Sequence, residues 1–232
     1  MKGLLLSAGL GTRLQPLTSS IPKCLVPIKG KPLMEYWLEI LFEGGIHSIL
    51  INIHYLPKIV EKYISQSRFK SVVKTVFEEK LLGTGGTLLR NQEFFGNEPI
   101  IMVHADNLSI FKIKDFLHAH ENRPSKCEIT MMTFSTTQPE NCGILELDSN
   151  GIVKGFHEKV KNPPGNLANA AVYILEPSIL KYLRGLGKEF IDFSTEVIPH
   201  FLGRIFSFKN EIYHRDIGTM ESYRQAQKDF PG

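Results

Sequence analysis

The sequence predicts an α/β fold with a Rossmann-like, mostly parallel sheet flanked by helices and a small mixed β lobe over the active site. Over the first half of the chain, short apolar segments alternate with amphipathic segments of helical periodicity. This β-α-β-α-β-α-β order is typical of a parallel sheet with right-handed crossovers. From Cys127 onward, apolar segments are separated by turns instead, which indicates a mixed or antiparallel part.

The elements of the first half can be assigned from periodicity and from their end signals. The segment beginning at Leu4 is a short apolar strand, and the helix predicted over residues 31–42 ends at Gly44-Gly45. The next helix begins with Pro57, a residue suited to the first helical turn. The other predicted elements are strands at 46–53, 71–77 and 99–103 and helices at 57–65 and 87–94.

The second half is predicted to contain more strands than helices. A turn at residues 148–151 predicts a hairpin between strands 143–147 and 152–157. Further strands are predicted at 128–134, 167–175 and 211–215, a short helix at 193–202 despite Pro199, and a helix at 220–230.

Composition limits the classes of partner and compartment. The chain has 232 residues, of which 42% are hydrophobic and 22% charged, enough for one sizeable core. The net charge of +3 is too small to indicate nucleic acid or an anionic membrane, and no apolar segment reaches membrane-spanning length. Three scattered cysteines, Cys24, Cys127 and Cys142, suit reduced thiols, so a cytoplasmic location is expected. A packing role is favoured for Cys24 over a nucleophilic one.

The loop after the first strand has a composition suited to phosphate. Gly9 and Gly11 allow backbone N–H groups to approach an anion, and Arg13 and Lys23 can neutralise it. We therefore expect the loop, with Ala8 and Thr12, to hold a nucleoside triphosphate. The alternative is a tight turn with solvated cations. The Walker and dinucleotide motifs are excluded: the first lacks its Gly-Lys-Ser/Thr, and the second lacks its third glycine and its acidic residue.

Gly9-Leu-Gly-Thr-Arg-Leu14, followed by Pro22-Lys23, resembles the signature of the sugar-1-phosphate nucleotidyltransferases, or nucleotide-sugar pyrophosphorylases. The resemblance covers Leu4 to Tyr223, with five motifs in order. It implies that Arg13 and Lys23 are catalytic and that Ala8, Gly9, Gly11 and Thr12 bind nucleotide. It also implies one nucleotidyltransferase domain over residues 1–232, with a nucleotide-binding part at about 1–125 and a sugar-phosphate-binding part at about 126–220.

Two carboxylates stand where a metal site is expected. Asp106 follows an apolar strand, and Asp216 lies in Asp216-Ile-Gly-Thr219, which is similar to a late motif of that family. Ala105 stands where the family more commonly has glycine. Mg²⁺ prefers carboxylate and phosphate oxygens, so the resemblance implies a Mg²⁺ site at Asp106 and Asp216. The alternative for each residue is that it caps the following turn or helix.

Four other segments are assigned to the substrates by the same resemblance. Gly83, Thr84 and Gly86 are expected to contact the nucleotide, the alternative being a glycine-rich turn. Residues implied at the sugar-phosphate site are Gly143, Glu158, Lys159 and Asn169. By themselves Glu158 and Lys159 are more typical of a solvated charge pair. Ala171 departs from a glycine that is usual in the family.

These observations predict a magnesium-dependent enzyme that joins a nucleoside triphosphate and a sugar 1-phosphate. The segment around Gly83 looks more like that of mannose- or heptose-1-phosphate guanylyltransferases, which favours GTP with a manno-configured sugar. The alternatives are UTP or dTTP with glucose 1-phosphate, or a non-catalytic subunit that binds a nucleotide sugar. The sequence leaves the oligomeric state open.

Overall fold

The computed structural model describes residues 1–231 and confirms an α/β fold with a mostly parallel sheet flanked by helices. The strands are β1 (Lys2–Leu6), β2 (Pro27–Ile28), β3 (Lys31–Pro32), β4 (Ile49–Ile53), β5 (Val73–Phe77), β6 (Ile100–His104), β7 (Asn107–Ile110), β8 (Ile129–Ser135), β9 (Gly143–Leu147), β10 (Val153–Glu158), β11 (Leu167–Leu175), β12 (Ile205–Lys209) and β13 (Tyr213–Asp216). The α-helices are α1 (Leu33–Glu43), α2 (Pro57–Gln66), α3 (Gly83–Arg90), α4 (Gln92–Phe95), α5 (Ile113–Glu121), α6 (Ser178–Gly185) and α7 (Met220–Asp229).

The chain forms two compact units. The first contains Met1–Leu81, Val103–Ile113 and the segment from Ile212 onward, and the second contains Leu82–Met102 and Lys114–Glu211. Strand β6 is therefore divided between them. The functional division near residue 125 stays a prediction.

The first unit contains the predicted parallel strands. β1 pairs in parallel with β4, and β4 with β5, so that Leu4 lies opposite Leu50 and Ile51 opposite Thr75. All five residues of β4 are buried, as expected of a strand with helices on both faces. The parallel β-α-β arrangement predicted for these strands is confirmed, and their carboxyl ends lie at one edge of the sheet.

Helix α1 shows how the sequence pattern specifies an element. Leu33, Met34, Trp37, Leu38 and Leu41 recur at helical spacing and are all buried. The helix ends at Gly44, whose N–H donates to the carbonyl of Ile40 at 3.0 Å. The predicted helix over 31–42 is thus confirmed to within two residues at its start and one at its end.

The second unit has mixed strand pairing, as predicted. β9 and β10 form the expected antiparallel hairpin, β11 pairs antiparallel with β8 and β9, and β12 pairs in parallel with β8. The hairpin turn is stabilised by Asp148, whose Oδ1 accepts the N–H groups of Asn150 and Ile152.

Several elements differ from the predicted ones. β2, β3, β7, α6 and β12 were not predicted, and the helix predicted at 87–94 is instead two helices, α3 beginning at Gly83 and α4 beginning at Gln92. The predicted helix at 193–202 is instead a single π-helical turn, Phe193–Val197, followed by a 3-10 turn, Ile198–Phe201. Pro199 lacks the N–H that a continuous α-helix needs there, which accounts for the change. Among residues 1–231, none of the helices combines the length and the apolar character needed to cross a bilayer.

Candidate active site

The glycine loop, which we define as residues 7–23, joins the end of β1 to the buried segment before β2. It is built from the short 3-10 turns Thr12–Leu14 and Leu17–Ser19, with a third turn beginning at Lys23. Gly11 has φ +66°, and a Cβ there would lie 3.1 Å from Thr18 Cγ2 and 3.2 Å from Lys23 Cβ. Glycine is therefore strongly favoured at this position, whereas a Cβ at Gly9 would meet nothing within 4 Å. Ala8 is buried.

Lys23 connects the loop to both candidate metal ligands. Its Nζ lies 2.6 Å from Asp106 Oδ2 and 3.8 Å from Asp216 Oδ1. The lysine side chain is 9% exposed, whereas those of Asp106 and Asp216 are 35% and 58% exposed. Burial alone would raise the pKa of Asp106, but the charge and hydrogen bond of Lys23, helped by His104, lower it below its ordinary value. Asp106 is thereby held as a carboxylate.

A short ribbon brings Asp106 beside Asp216 across a long sequence separation. β7 and β13 pair antiparallel, with Asn107 opposite Asp216, and the N–H of Ile217 donates to the carbonyl of Asp106 at 2.9 Å. Ile217 is fully buried in the same apolar cluster as Leu14 of the glycine loop. The two carboxylates are thus fixed by backbone pairing and by a shared core.

The Arg13 guanidinium approaches Gly218, two residues after Asp216. A Cβ built at Gly218 would lie 2.8 Å from Asp216 Oδ2 and 3.2 Å from Arg13 Nη2, so both side chains approach the backbone of Gly218. Any larger residue at 218 would displace one of them. Helix α7 is capped by Thr219, which forms a capping box with Ser222, and this accounts for the cap without Asp216. The first unit therefore brings Arg13, Lys23, Asp106 and Asp216 together.

The residues expected at the nucleotide base lie at the start of α3, where packing accounts for their types. A Cβ at Gly83 would be 2.5 Å from the carbonyl oxygen of Ile191, and one at Gly86 would be 2.2 Å from that of Glu189. The N–H of Gly86 donates to Ile191 at 3.2 Å, and Thr84 Oγ1 accepts the N–H of Phe193 at 3.0 Å. The glycines let the helix contact the 189–193 backbone, and the nucleotide contact remains a prediction.

Three of the four sugar-phosphate candidates lie at the open end of the β9–β10 hairpin. Gly143 pairs with Glu158, and a Cβ at 143 would lie 2.6 Å from both Glu158 Oε2 and the Phe156 ring. Lys159 follows with φ +50°, and its N–H donates to the carbonyl of Cys142 at 3.0 Å. Its Nζ is 3.5 Å from Glu158 Oε1, a loose pair that leaves the lysine side chain 66% exposed.

Asn169 belongs to the same neighbourhood of the second unit. Its Nδ2 donates to the Tyr173 hydroxyl at 2.7 Å, and its Oδ1 accepts the N–H of Ala171 at 2.9 Å. Ala171 has φ +53°, a left-handed conformation that explains why glycine would suit this position. Burial and then the carboxylates of Glu158 and Asp192 raise the pKa of Tyr173, against hydrogen bonds to Asn169 and Ser194.

Sequence reasoning missed Tyr173, Asp192 and Ser194. Tyr173 lies in the same family-like segment of β11 as Asn169, four residues later, but was given no role, whereas Asp192 and Ser194 lie in no motif. The segment 189–194 contacts both the start of α3 and Tyr173, whose ring centroid is 5.0 Å from that of Phe193. It therefore links the stretch assigned to the nucleotide with the stretch assigned to the sugar phosphate.

The donors fit a hard divalent cation. Asp106 and Asp216 supply charged oxygens that approach one ammonium group, which shows that both carboxylates face the same space. Among residues 1–231, no set of three His, Cys, Asp or Glu side chains is arranged for a metal. Two carboxylates with substrate phosphates and water suit Mg²⁺, which keeps several non-protein ligands. Cys24 is buried beside this site, and burial raises the pKa of its thiol to about 12, so it supplies packing and no thiolate.

Comparison with known proteins shows the family. A family model described as nucleotidyl transferase matches residues 2–231, so the chain belongs to that family. Mannose-1-phosphate guanylyltransferase 1 of Arabidopsis thaliana is 33% identical over 78% of this chain and 51% of its own. The UTP–glucose-1-phosphate uridylyltransferase of Synechocystis sp. is 29% identical over 97% of this chain and 62% of its own. The resemblance to sugar-1-phosphate nucleotidyltransferases is thereby confirmed.

Among solved structures, that of HddC from Yersinia pseudotuberculosis complexed with GMP-PN is 26% identical, with a TM-score of 0.80. The match covers 99% of each chain. By contrast, the chain spans between a half and two thirds of the length of the two curated relatives named above.

Proposed function

We propose that this protein transfers a nucleotidyl group from a nucleoside triphosphate to a sugar 1-phosphate, giving a nucleoside diphosphate sugar and pyrophosphate. The observation that supports it is the convergence of Arg13, Lys23, Asp106 and Asp216 in a member of the nucleotidyl transferase family. Two cations and two carboxylates suit the joining of two phosphate-bearing substrates.

The reaction needs no covalent enzyme intermediate. An oxygen of the sugar phosphate attacks the α-phosphorus, a new P–O bond forms, and the bond from that phosphorus to the α,β-bridging oxygen breaks. Pyrophosphate leaves with the electron pair of the broken bond. Because the nucleophile is already an anion, the protein has to align two anions and stabilise the developing charge more than it has to remove a proton.

The residues of the first unit take these tasks. Arg13 is exposed and its planar guanidinium suits two phosphate oxygens, so we assign it to the triphosphate. Lys23 is held beside Asp106 and supplies a fixed positive charge for the α-phosphoryl group. Gly9, Gly11, Ala8 and Thr12 supply the loop backbone. Asp106 and Asp216 would hold Mg²⁺, which when bound supplies charge neutralisation for the phosphates.

The residues of the second unit are assigned to specificity. Glu158 can accept hydrogen bonds from sugar hydroxyls, Lys159 can pair with the phosphate, and Asn169 can do either. The absence of a side chain at Gly143 lets Glu158 and the Phe156 ring lie against the backbone there, while Gly83, Thr84 and Gly86 are proposed to lie by the base. The Asn169 side chain is already oriented by Tyr173 and Ala171, which favours one presentation of its amide.

For the substrates, we propose GTP with a manno-configured hexose or heptose 1-phosphate. A relative named as a mannose-1-phosphate guanylyltransferase and a structural match complexed with GMP-PN support guanine. Because another relative is named as a UTP–glucose-1-phosphate uridylyltransferase, the test also includes pyrimidine nucleotides. We also propose a cytoplasmic location, consistent with three cysteines of which none forms a disulfide.

The test is a pyrophosphate-release assay with the purified full chain, supplied with Mg²⁺. Each of GTP, UTP, dTTP and CTP is combined with mannose, glucose and heptose 1-phosphates, and product mass identifies the nucleotide sugar. We expect release from at least one pair. A folded protein that binds a nucleotide sugar tightly but turns over no pair would contradict the proposal and favour the non-catalytic subunit.

A further inference from the structure

The end of β4 and the residues just after it contact the glycine loop at two places. At the start of the loop, Asn52 Oδ1 accepts the N–H of Ser7 at 2.8 Å, and Ser7 Oγ donates to the Asn52 carbonyl at 2.6 Å. Farther along the loop, the Tyr55 hydroxyl lies 3.0 Å from the carbonyl of Thr18 and 3.3 Å from that of Ser19. Asn52 and Tyr55 are three residues apart in the sequence. They therefore hold loop residues that are eleven or twelve positions apart, namely Ser7 on one side and Thr18 and Ser19 on the other.

Asn52 is itself rigidly held. It is 3% exposed, and its Nδ2 donates to Glu78 Oε1 at 3.0 Å. Glu78 is 5% exposed, and its N–H donates to the carbonyl of Ile53 at 2.9 Å. Because a carboxylate only accepts hydrogen bonds, it fixes the Asn52 amide with its nitrogen toward Glu78 and its oxygen toward Ser7. The chain Ser7–Asn52–Glu78 thus crosses three parallel strand ends.

The contact at Tyr55 reaches the glycine that shapes the loop. Thr18, whose carbonyl faces Tyr55, is buried and donates from Oγ1 to the carbonyl of Gly11 at 2.7 Å. Gly11 adopts the left-handed conformation that turns the loop back toward Lys23. Between these contacts, Gly9, Thr12 and Arg13 are exposed or only partly packed.

We propose that Asn52 and Tyr55 are positioning residues that hold the glycine loop in the shape that binds the triphosphate. The identity of the ligand rests on the proposed function, whereas the hold on the loop does not. A loop ordered in advance loses less conformational entropy on binding, so loosening it weakens triphosphate binding. Neither residue is required to touch the substrate.

The first experiment measures the loop alone, without substrate. Tyr55→Phe removes only the hydroxyl, and Tyr182→Phe is its matched control, because the Tyr182 hydroxyl donates to the carbonyl of Glu196 at the same 3.0 Å. Hydrogen exchange of peptides covering residues 8–22 is compared in the two variants and the wild type. We expect exchange there to rise about fivefold in Tyr55→Phe, the effect of losing one hydrogen bond, and not in the control.

The second experiment separates positioning from general stability. Steady-state KM values are measured for GTP and for mannose 1-phosphate, or for whichever pair the wild type uses. Asn52→Ala is compared with Asn91→Ala, since Asn91 Nδ2 also donates within the fold, to the carbonyl of Thr87 at 2.9 Å. Tyr55→Phe and Asn52→Ala should raise KM for the triphosphate by about fivefold or more and leave KM for the sugar phosphate unchanged.

The outcomes distinguish the two proposals. Unchanged exchange of residues 8–22 in Tyr55→Phe overturns the hold on the loop, whatever the enzyme does. Faster exchange with an unchanged triphosphate KM overturns the positioning role. If Asn52→Ala fails to fold, Tyr55→Phe decides alone, because Phe keeps the partly buried ring. A wild-type protein without turnover would contradict the proposed function. Hydrogen exchange of residues 8–22 would still show whether Tyr55 holds the loop.

Discussion

At the scale of single residues, the two carboxylates give the sharpest test of the metal site. Asp106→Asn and Asp216→Asn keep the shape of each side chain but remove a charged oxygen ligand, so each should lower kcat by orders of magnitude. Asp229→Asn is the matched control, because Asp229 pairs with Arg215 at 2.7 Å in the same unit and is assigned no role in the reaction. Near-normal activity of either variant at limiting Mg²⁺ would contradict a ligand role for that residue.

His120 makes folding stability depend on pH. It is 4% exposed, its Nδ1 contacts Thr130 Oγ1 at 2.8 Å, and burial with the nearby Arg123 lowers its pKa to about 4 from an ordinary 6.5. Glu176 lies 3.2 Å from Nε2 but is paired with Arg123, which weakens its support for an imidazolium. Since the unfolded chain binds the proton first, stability falls as pH drops from about 6.5 to about 4.

Over the full pH range, the difference in the pKa of His120 between the folded and unfolded chain corresponds to about 3 kcal/mol of unfolding free energy. About 2 kcal/mol of this is lost between pH 7 and pH 5. Urea unfolding of the wild type and of His120→Asn at these two pH values measures it. Asn keeps a polar group toward Thr130 and does not titrate, so the variant should lose about 2 kcal/mol less than the wild type over this interval. Equal losses in both proteins would contradict a neutral buried His120.

At the scale of elements, the glycines at the start of α3 allow the helix to pack against the 189–191 backbone. Gly86→Ala places a Cβ 2.2 Å from the carbonyl oxygen of Glu189, so the 189–191 backbone must move. We expect a loss of about 1–3 kcal/mol, despite the higher helix propensity of alanine. Gly185→Ala at the end of α6 meets nothing within 4 Å and should be neutral or slightly stabilising. Urea unfolding measures the stability of both variants. If Gly86→Ala leaves the free energy of unfolding unchanged, nucleotide contact remains as the reason for glycine at this position.

The same element shows where sequence reasoning stops. Glycine weakens helices, so the sequence favoured a loop up to Gly86, yet tertiary contact with residues 189–193 makes Gly83–Arg90 helical. β7 was missed because four residues carry little periodicity, and it forms only by pairing with β13, about a hundred residues later. α1, in contrast, was predicted because its apolar face and its glycine stop are local.

At the scale of the whole molecule, the residues of the candidate site could be named from the sequence, but their supports could not. Arg13, Lys23, Asp106 and Asp216 lie in recognisable motifs, and the structure brings them together. Asn52, by contrast, lies in no motif that the sequence analysis assigned to the site. Its contacts are 45 residues away, with Ser7, and 26 residues away, with Glu78, and no local pattern records such pairs.

The choice of base is the last prediction, and it belongs to the whole molecule because the base, the triphosphate and the sugar phosphate must be bound together. If the site hydrogen-bonds guanine, a pyrimidine would leave buried donors and acceptors unpaired, and each such group costs about 1–3 kcal/mol. Discrimination against the wrong base should therefore be strong and should appear in kcat/KM. A sugar that differs in one hydroxyl should be rejected less strongly if that hydroxyl is only partly buried.

We expect kcat/KM for GTP to exceed that for UTP, dTTP and CTP by about a hundredfold or more, as two or three unpaired groups would give. The measurement is initial-rate pyrophosphate release with each triphosphate against saturating mannose 1-phosphate, repeated with glucose and heptose 1-phosphates. Asn169→Ala provides a control, because it should reduce the rate with every triphosphate alike if Asn169 contacts the sugar phosphate. A preference for any pyrimidine nucleotide would overturn the choice of GTP and leave the reaction class unchanged.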